Sequence, residues 1–238
     1  MILTGHQPVY LPWLGLFHKM VLSDVFISMN RVQYQANDWN NRNQVKTVNG
    51  PVWLTVPVHA KGRLNGVISD IRIDNEQPWA KRHLRTLEQS YARSPYFDHY
   101  RDELRAIYLQ TWVTLEELND RILEALMGWL GIRTPIKRMS EGAYTGHKGD
   151  LVLDMCRQSG AEAFVFGEQG RGYVDCAAFV AAGVNPVFQA YQHPEYPQQH
   201  GPFVPNLSVI DLLANCGEDS LSILLDGNLT RDEIAGMA

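Results

Sequence analysis

The stretch ILTGHQPVYLPWLGLFHK, residues 2–19, decides the fold that the sequence predicts. A short apolar run opens it, two prolines interrupt it, and an apolar segment then covers residues 13–22. This order predicts a buried strand, an irregular loop and a helix, which together form the first unit of an α/β sheet. His6 follows the carboxyl end of the predicted strand, where open α/β sheets bind their ligands. A histidine at this position is a candidate for function, with a structural role as the alternative.

The composition is that of an ordinary globular protein. Of the 238 residues, 45% are hydrophobic and 20% are charged. The formal net charge of -5 argues against tight nucleic-acid binding, which relies on Lys and Arg contacts to phosphates. No apolar run reaches the length of a membrane span, and the first residues lack the charged and hydrophobic parts of a secretion signal. We therefore expect a cytoplasmic protein without a membrane span.

The cysteines Cys156, Cys176 and Cys216 are far apart and lie within apolar segments. Disulfide frameworks and cysteine metal sites need paired or closely spaced cysteines. We therefore expect these cysteines to be reduced and buried, with neither a disulfide nor a cysteine metal site.

The remaining elements predict a mostly parallel sheet. In the second half of the chain short strands alternate with helices, and in the first half two strands around a Gly-containing loop predict a hairpin. The predicted strands cover residues 25–29, 52–58, 68–73, 136–139, 163–166 and 186–189. Helical periodicity fills about 78–131, either as a lid-like bundle or as the cover of one sheet face. We expect a single α/β domain over residues 1–238: a Rossmann-like, mostly parallel sheet with a helical insertion at about 78–131 and a small hairpin.

Three irregular stretches carry the polar residues that a ligand site needs. Residues 33–46 are rich in Asn and Gln, and both an exposed loop and a sugar or phosphate site fit that composition. The GEQGRG stretch, residues 167–172, is a strand-to-helix loop without the spacing of a dinucleotide or phosphate loop. Residues 191–207 are rich in Pro, His and Gln, and loops of this length are usually functional or disordered.

Three separated blocks together resemble the WbqC-like family of bacterial proteins. They are HQPVYLPWLGLFHK at 6–19, RNQVKTVNGPVWLTVPV at 42–58 and YQHPEYPQQHGPFVPNLSVIDLL at 191–213, so the resemblance covers nearly the whole chain. Members of that family occur in O-antigen and surface-polysaccharide gene clusters. The resemblance implies a role in making or decorating activated sugars, with attachment of an acyl or aminoacyl group to a sugar amine as the implied reaction.

The residues that match the family's motifs define the candidate site, although the resemblance assigns none of them a catalytic role. They are His6, His193, Ser208 and Asp211, together with the candidate substrate-binding residues Gln7, Tyr10, Trp13, Lys19, Arg42, Asn43, Lys46, Tyr173, Asp175, Tyr196 and Gln198.

The opening unit also resembles, more weakly, the nucleotidylyltransferases and class I synthetases, in which an HxGH motif at the helix start stabilises phosphates. The corresponding stretch here is Trp13-Leu14-Gly15-Leu16, with an apolar residue in place of each histidine. Neither Trp nor Leu stabilises the developing charge on a phosphate as that histidine does. This difference argues against a conventional nucleotidylyltransferase.

Transfer of an acyl group to an amine needs a base for the ammonium proton and donors for the oxyanion. Histidine suits the base because its unperturbed pKa is about 6.5. His6 is the first candidate for the base and His193 the second, while Asp211 either orients a histidine or caps its helix. No GxSxG motif is present, which favours direct transfer without a covalent enzyme intermediate.

Cations and aromatic rings in the polar stretches suit a nucleotide sugar. Arg42 and Lys46 are candidates for its diphosphate, and Trp39 or Tyr196 for stacking on its base or sugar ring. The expected partners are therefore a small nucleotide sugar and an acyl or aminoacyl donor. Nucleic acid enters only as a charged tRNA in the role of that donor.

A zinc site built from His193 and His200 with His6 or Asp211 is conceivable, but no HExxH or paired CxxC motif supports it, and no metal is favoured. The cofactor is unknown. Two alternatives to the transferase remain. One is an ATP-dependent ligase or nucleotidylyltransferase-like enzyme, and the other is a non-catalytic binding protein of the same pathway.

Overall fold

The computed structural model describes residues 1–59 and 66–237. Its strands are β1 (Ile2–His6), β2 (Val25–Ser28), β3 (Arg42–Thr47), β4 (Gly50–Thr55), β5 (Ile136–Arg138), β6 (Ala163–Phe166) and β7 (Asn185–Phe188). Its α-helices are α1 (Leu14–Val21), α2 (Trp79–Tyr91), α3 (Phe97–Leu109), α4 (Leu115–Leu130), α5 (Gly149–Ser159), α6 (Cys176–Ala181), α7 (Val209–Cys216), α8 (Ser220–Leu225) and α9 (Arg231–Gly236).

Five strands form a parallel sheet in the order β5-β2-β1-β6-β7. Thr4 of β1 pairs with Phe26 of β2 on one side and with Val165 of β6 on the other. From β1 the chain adds β2 and then β5 on one side of the sheet. It then continues on the other side of β1 with β6 and β7. The strand order therefore reverses between β1 and β6, and this reversal is where open α/β sheets bind ligands. The predicted Rossmann-like α/β fold is confirmed.

Apolar side chains cover both faces of the sheet, as a parallel sheet requires. Phe164 and Phe166 of β6 pack with Leu151 and the rest of the apolar face of α5. Val165, which alternates with them along the strand, packs with Ile234 of α9 on the opposite face. The largest cluster joins α1 to α2, α3, α4 and α7.

The three helices predicted within 78–131 are confirmed as α2, α3 and α4, and their ends follow from local chemistry. Thr114 and Glu117 form a reciprocal capping box at the start of α4. Gly131 ends that helix in the left-handed conformation, with φ 71°. Because these helices share one apolar cluster with α1, they pack against the sheet unit. Their status as an insertion in a single domain remains a prediction.

A small antiparallel hairpin is confirmed, but its strands differ from the predicted pair, of which only an antiparallel bridge between Val58 and Ile73 is present. The turn at residues 48–49 joins β3 to β4, in register Val45↔Val52, whereas residues 68–70 form a short 3-10 helix. The strand β3 was missed because its sequence RNQVKT has a polar composition typical of loops. The buried Asn43 amide of β3 donates to the carbonyl oxygen of Leu11 at 2.6 Å. This hydrogen bond of a polar side chain fixes the strand to the opening loop. The predicted turn at 61–66 lies almost wholly outside the described residues.

The C-terminal helix α9 packs on the sheet, where it buries Ile234. One expectation about the cysteines needs correction. Cys176 is exposed, whereas Cys156 and Cys216 are buried as expected, and all three are free thiols. Within residues 1–59 and 66–237 we find no helix that combines the length and the apolar character of a membrane span.

Candidate functional site

His6 ends β1 at the edge where the strand order reverses. Its Nδ1 atom donates to the Gln7 carbonyl oxygen at 2.9 Å, which leaves Nε2 as the acceptor of a neutral ring. Burial, together with the nearby Lys19 ammonium, lowers the pKa of His6 to about 4. The edge of the ring packs against Trp13, with the ring centroids 5.3 Å apart. His6 is therefore a neutral acceptor at pH 7.

Lys19 comes from the last turn of α1 and reaches back to the end of β1. Its Nζ atom donates to the carbonyl oxygen of Gly5 at 3.0 Å, and the residue is 4% exposed. Burial lowers the pKa of Lys19 to about 8, so the group is mostly charged at pH 7. Within the described residues it has no carboxylate partner and one hydrogen bond for three N–H donors. This is a buried, uncompensated positive charge.

Gln7 adds a hydrogen-bond donor to the same loop. Its Oε1 atom accepts from Asn40 Nδ2 at 3.1 Å, which fixes the orientation of the amide. The amide nitrogen of Gln7 has no acceptor among residues 1–59 and 66–237. His6, Gln7 and Lys19 thus bring an acceptor, a donor and a cation to the carboxyl end of one strand.

A row of tryptophans runs from His6 to the hairpin, and we call Trp13, Trp39 and Trp53 the indole row. Trp13 and Trp39 have their ring centroids 5.7 Å apart, and Trp39 and Trp53 have theirs 5.4 Å apart. The guanidinium of Arg42 lies over the ring of Trp53, 4.5 Å from its centroid. Trp53 is 44% exposed, and the other two indoles are partly buried. The row therefore presents aromatic surface to solvent beside His6.

Four other predicted residues form a separate group with Tyr91, which the sequence did not single out. We call this group the Asp211 cluster: Lys46, Tyr91, Tyr196, Gln198 and Asp211. Tyr91 donates to Asp211 Oδ1 at 2.9 Å, and Tyr196 and Gln198 border the same carboxylate. Lys46 donates to Gln198 Oε1 at 3.0 Å and to the Pro202 carbonyl oxygen at 2.6 Å. Burial raises the pKa of Asp211 and lowers that of Lys46. These contacts tie β3, α2 and α7 to the long loop, while Ser208, not Asp211, caps α7.

The remaining candidates are dispersed. Tyr10 is fully buried and hydrogen-bonds His83 at 2.8 Å between the opening loop and α2. His193 donates from Nδ1 to the Pro194 carbonyl oxygen and has no described contact with His6. Asp175 caps α6 and Tyr173 is 46% exposed, both in the loop after β6. A catalytic or binding role for these residues remains a prediction.

No three side chains of His, Cys, Asp or Glu converge as metal ligands anywhere in the described ranges 1–59 and 66–237. His200 hydrogen-bonds the Ser90 carbonyl oxygen at 2.8 Å, and His193 the Pro194 carbonyl oxygen at 2.9 Å. The histidines of the conceivable zinc site therefore have separate partners.

Neither of two cavities in the described residues is lined by His6 or Lys19. A cleft of ≈ 440 Å³ lies along β7 and is lined by residues 185–190 and by part of the segment 227–237, without His6 or Lys19. A cavity of ≈ 10 Å³, close to the volume of one water, adjoins Gln7, Ser28 and Asn119. We place the candidate site at β1 because the buried Lys19 ammonium has no counter-charge among the described residues, whereas Glu233, which lines the larger cleft, is exposed and accepts from Thr230.

Two sets of residues are not among the candidates that the sequence predicts. Trp53 lies inside the block 42–58, where its neighbours have the composition of an ordinary strand. Only the pairing of its strand with β3 brings it into the indole row. Arg138 at the end of β5 forms an ion pair with Asp120 of α4 at 2.7 Å and lies 3.8 Å from Glu116. Charged residues scattered over residues 116–138 gave no motif that would bring them together.

Comparison with known proteins places this arrangement in a family. The profile of the WbqC-like protein family matches residues 7–223. The chain belongs to the WbqC-like protein family. A relative, "Uncharacterized protein Rv1507c" from Mycobacterium tuberculosis (strain ATCC 25618 / H37Rv), is 36% identical over 216 residues, which cover 90% of this chain and 93% of that protein. No solved structure gives a significant match.

The extent of the WbqC-like match bears on the site. It includes Gln7, Lys19, Arg42 and the indole row, as well as the whole Asp211 cluster, and it begins one residue after His6. Family membership therefore covers nearly every candidate residue, whereas their chemical roles follow from geometry alone.

Proposed function

We propose that this WbqC-like protein is a transferase that attaches an acyl or aminoacyl group to the amine of a nucleotide-linked amino sugar. The observation that carries the proposal is the buried, uncompensated Lys19 ammonium beside a neutral His6 at the carboxyl end of β1. A cation in that position suits the diphosphate of the substrate, and a neutral imidazole suits a base for its amine. A role in O-antigen or other surface-polysaccharide synthesis in the cytoplasm rests on the family resemblance.

The proposed reaction forms one bond and breaks one. The sugar amine attacks the carbonyl carbon of the donor, and the carbonyl oxygen becomes a tetrahedral oxyanion. The amide nitrogen of Gln7 donates to that oxyanion, and His6 Nε2 takes the proton from the nitrogen. Collapse of the intermediate expels the donor's leaving group, which takes up the proton from His6.

Substrate binding also makes His6 a better base. The low pKa of His6 has two causes, burial first and the positive charge of Lys19 second. A diphosphate next to Lys19 offsets the second cause and raises the pKa of His6 toward neutral pH, where a general base works best. His6 is therefore a stronger base in the substrate complex than in the free protein.

The test is mass spectrometry of purified protein incubated with nucleoside-diphosphate amino sugars and acyl-CoA or aminoacyl-tRNA donors. We expect an N-acylated or N-aminoacylated sugar from the wild type and a loss of about 10²- to 10⁴-fold in rate for His6→Gln. The matched control is His99→Gln, at an exposed site on α3, which should keep the wild-type rate. Product that forms only with ATP and magnesium would replace the transferase by a ligase, and an unaffected His6→Gln rate would remove His6 as the base.

A further inference from the structure

Three buried asparagines of the Asn-rich stretch that suggested a sugar site use their amide groups internally. The amide group of Asn40 donates to the Pro8 carbonyl oxygen at 2.9 Å, and that of Asn41 donates to the Val56 carbonyl oxygen at 2.8 Å. Asn43 is bound to Leu11 in the same way. A sugar ring needs hydrogen-bond partners for its hydroxyl groups, and these amide donors already have partners. These three asparagines are therefore not available to a sugar, whereas the indole row beside them offers aromatic surface.

Positively charged side chains lie at both ends of the indole row. Arg42 lies on the ring of Trp53, and its Nη2 atom donates to the Asn37 carbonyl oxygen, which holds the guanidinium in place. Asp38 lies at the same bend, where its carboxylate accepts from the Trp39 backbone N–H at 2.7 Å. At the other end of the indole row, Trp13 contacts His6, and Lys19 lies next to that histidine. Aromatic rings combined with cations are the features with which proteins bind nucleotides through stacking and phosphate contacts.

We propose that the indole row, with Arg42, binds the base of a nucleotide whose phosphates reach Lys19. This inference rests on the proposed function, which requires a nucleotide-linked substrate. It assigns a binding surface to the nucleotide part of that substrate, which the reaction does not change. The exposed part of Trp53, 44% of the residue, is the stacking surface. Every nucleobase has a face that can stack, so the site should tolerate several bases.

Isothermal titration with uridine diphosphate, adenosine diphosphate and inorganic pyrophosphate tests this assignment. Trp53→Leu keeps an apolar side chain on the hairpin but removes the aromatic face. We expect it to weaken both nucleoside diphosphates about 5- to 150-fold and to leave pyrophosphate unchanged. Trp53→Phe, which restores an aromatic face, should recover most of the affinity, and this recovery also shows that the site is folded.

The matched control is Trp129→Leu. Trp129 is also partly exposed, but it lies between α3 and α4, where its Nε1 atom donates to Glu103 at 2.7 Å and its ring packs on Tyr100. We expect this variant to bind all three probes as the wild type does. Equal affinity of Trp53→Leu and wild type for uridine diphosphate would overturn the inference.

The outcomes also separate this inference from the proposed function. If Trp53→Leu binds nucleotide normally while Lys19→Met does not, the base assignment is wrong and the phosphate site stands. If glucosamine 1-phosphate depends on Trp53 and the nucleoside diphosphates do not, the row binds the sugar, and the base assignment is again wrong. If the wild type binds no nucleoside diphosphate, both proposals fall.

Discussion

The ammonium nitrogen of Lys19 lies 3.0 Å from the carbonyl oxygen of Gly5, at the carboxyl end of the central strand of the sheet. That carbonyl is its one hydrogen-bond acceptor within the described part of the chain. Burying a charge without a counter-charge is costly, and a methionine of similar shape would fill the same space without that cost. The position of Lys19 is therefore poor for stability and well suited to binding an anion.

Lys19→Met should stabilise the protein. With a pKa of about 8 against 10.5 for a free lysine, the folded state disfavours the charge by on the order of 3 kcal/mol. We expect a gain of about 1–3 kcal/mol and a melting temperature higher by several degrees, measured by circular dichroism at pH 7. Lys137→Met, at an exposed position of β5, is the control and should change stability by less than about 0.5 kcal/mol. A less stable Lys19→Met protein would show that Lys19 holds the fold together.

The stability difference between the wild type and Lys19→Met should shrink as pH rises. The pKa of Lys19 is lower in the folded state than in the unfolded state, so between about 8 and 10.5 the unfolded chain holds a proton that the folded chain has released. Stability of the wild type relative to the variant therefore rises with pH in this window. Urea unfolding at pH 7, 8 and 9 measures the difference. A constant difference would mean that Lys19 is not desolvated.

His6 should titrate in the acid range in the free protein. We expect NMR of the ring protons to give a pKa of about 4, and the pKa to rise in Lys19→Met because the neighbouring charge is removed. His83 is the internal control, since burial also lowers its pKa to about 4 and its surroundings do not include Lys19. Since both pKa values lie below 6.5, these residues destabilise the fold as pH falls from 6.5 through 4. An unchanged His6 pKa in Lys19→Met would show that the charge of Lys19 does not act on His6.

Tyr91→Phe should destabilise the protein without touching the proposed chemistry. The substitution removes the donor to Asp211 Oδ1 and leaves a fully buried carboxylate oxygen unpaired. We expect a loss of about 1–3 kcal/mol in urea unfolding. Tyr173→Phe, at a 46% exposed ring, is the control and should be neutral. If Tyr91→Phe keeps full stability and loses substrate binding, the Asp211 cluster belongs to the site.

The local elements could be read from the sequence because their determinants are local. The opening strand, loop and helix follow from residues 2–19, and the limits of α4 follow from Thr114 and Gly131. Strand β6, which pairs with the central strand β1, is fully buried along AFVF, as the apolar run predicted. The position of His6 at the carboxyl end of a sheet strand follows from the same patterns.

The site could be predicted only in part, because its contacts are long-range. Lys19 was a candidate on the resemblance alone, since nothing in FHKM shows that its ammonium group turns back to Gly5 and lacks a counter-charge. The indole row joins residues 13, 39 and 53 through the β3–β4 pairing, and the polar composition of β3 concealed that pairing. Lys46 looked like a phosphate ligand, but the long loop covers it.

The most direct test of the account is the thermal shift that a nucleoside-diphosphate amino sugar produces in the wild type and in Lys19→Met. At about 100 times its dissociation constant a ligand stabilises by about 2.7 kcal/mol, which corresponds to a shift of roughly 5–10 °C for a protein of this size. The account predicts that shift in the wild type and little or none in Lys19→Met, although the variant itself melts higher. The same shift in both proteins, or none in the wild type, would contradict it.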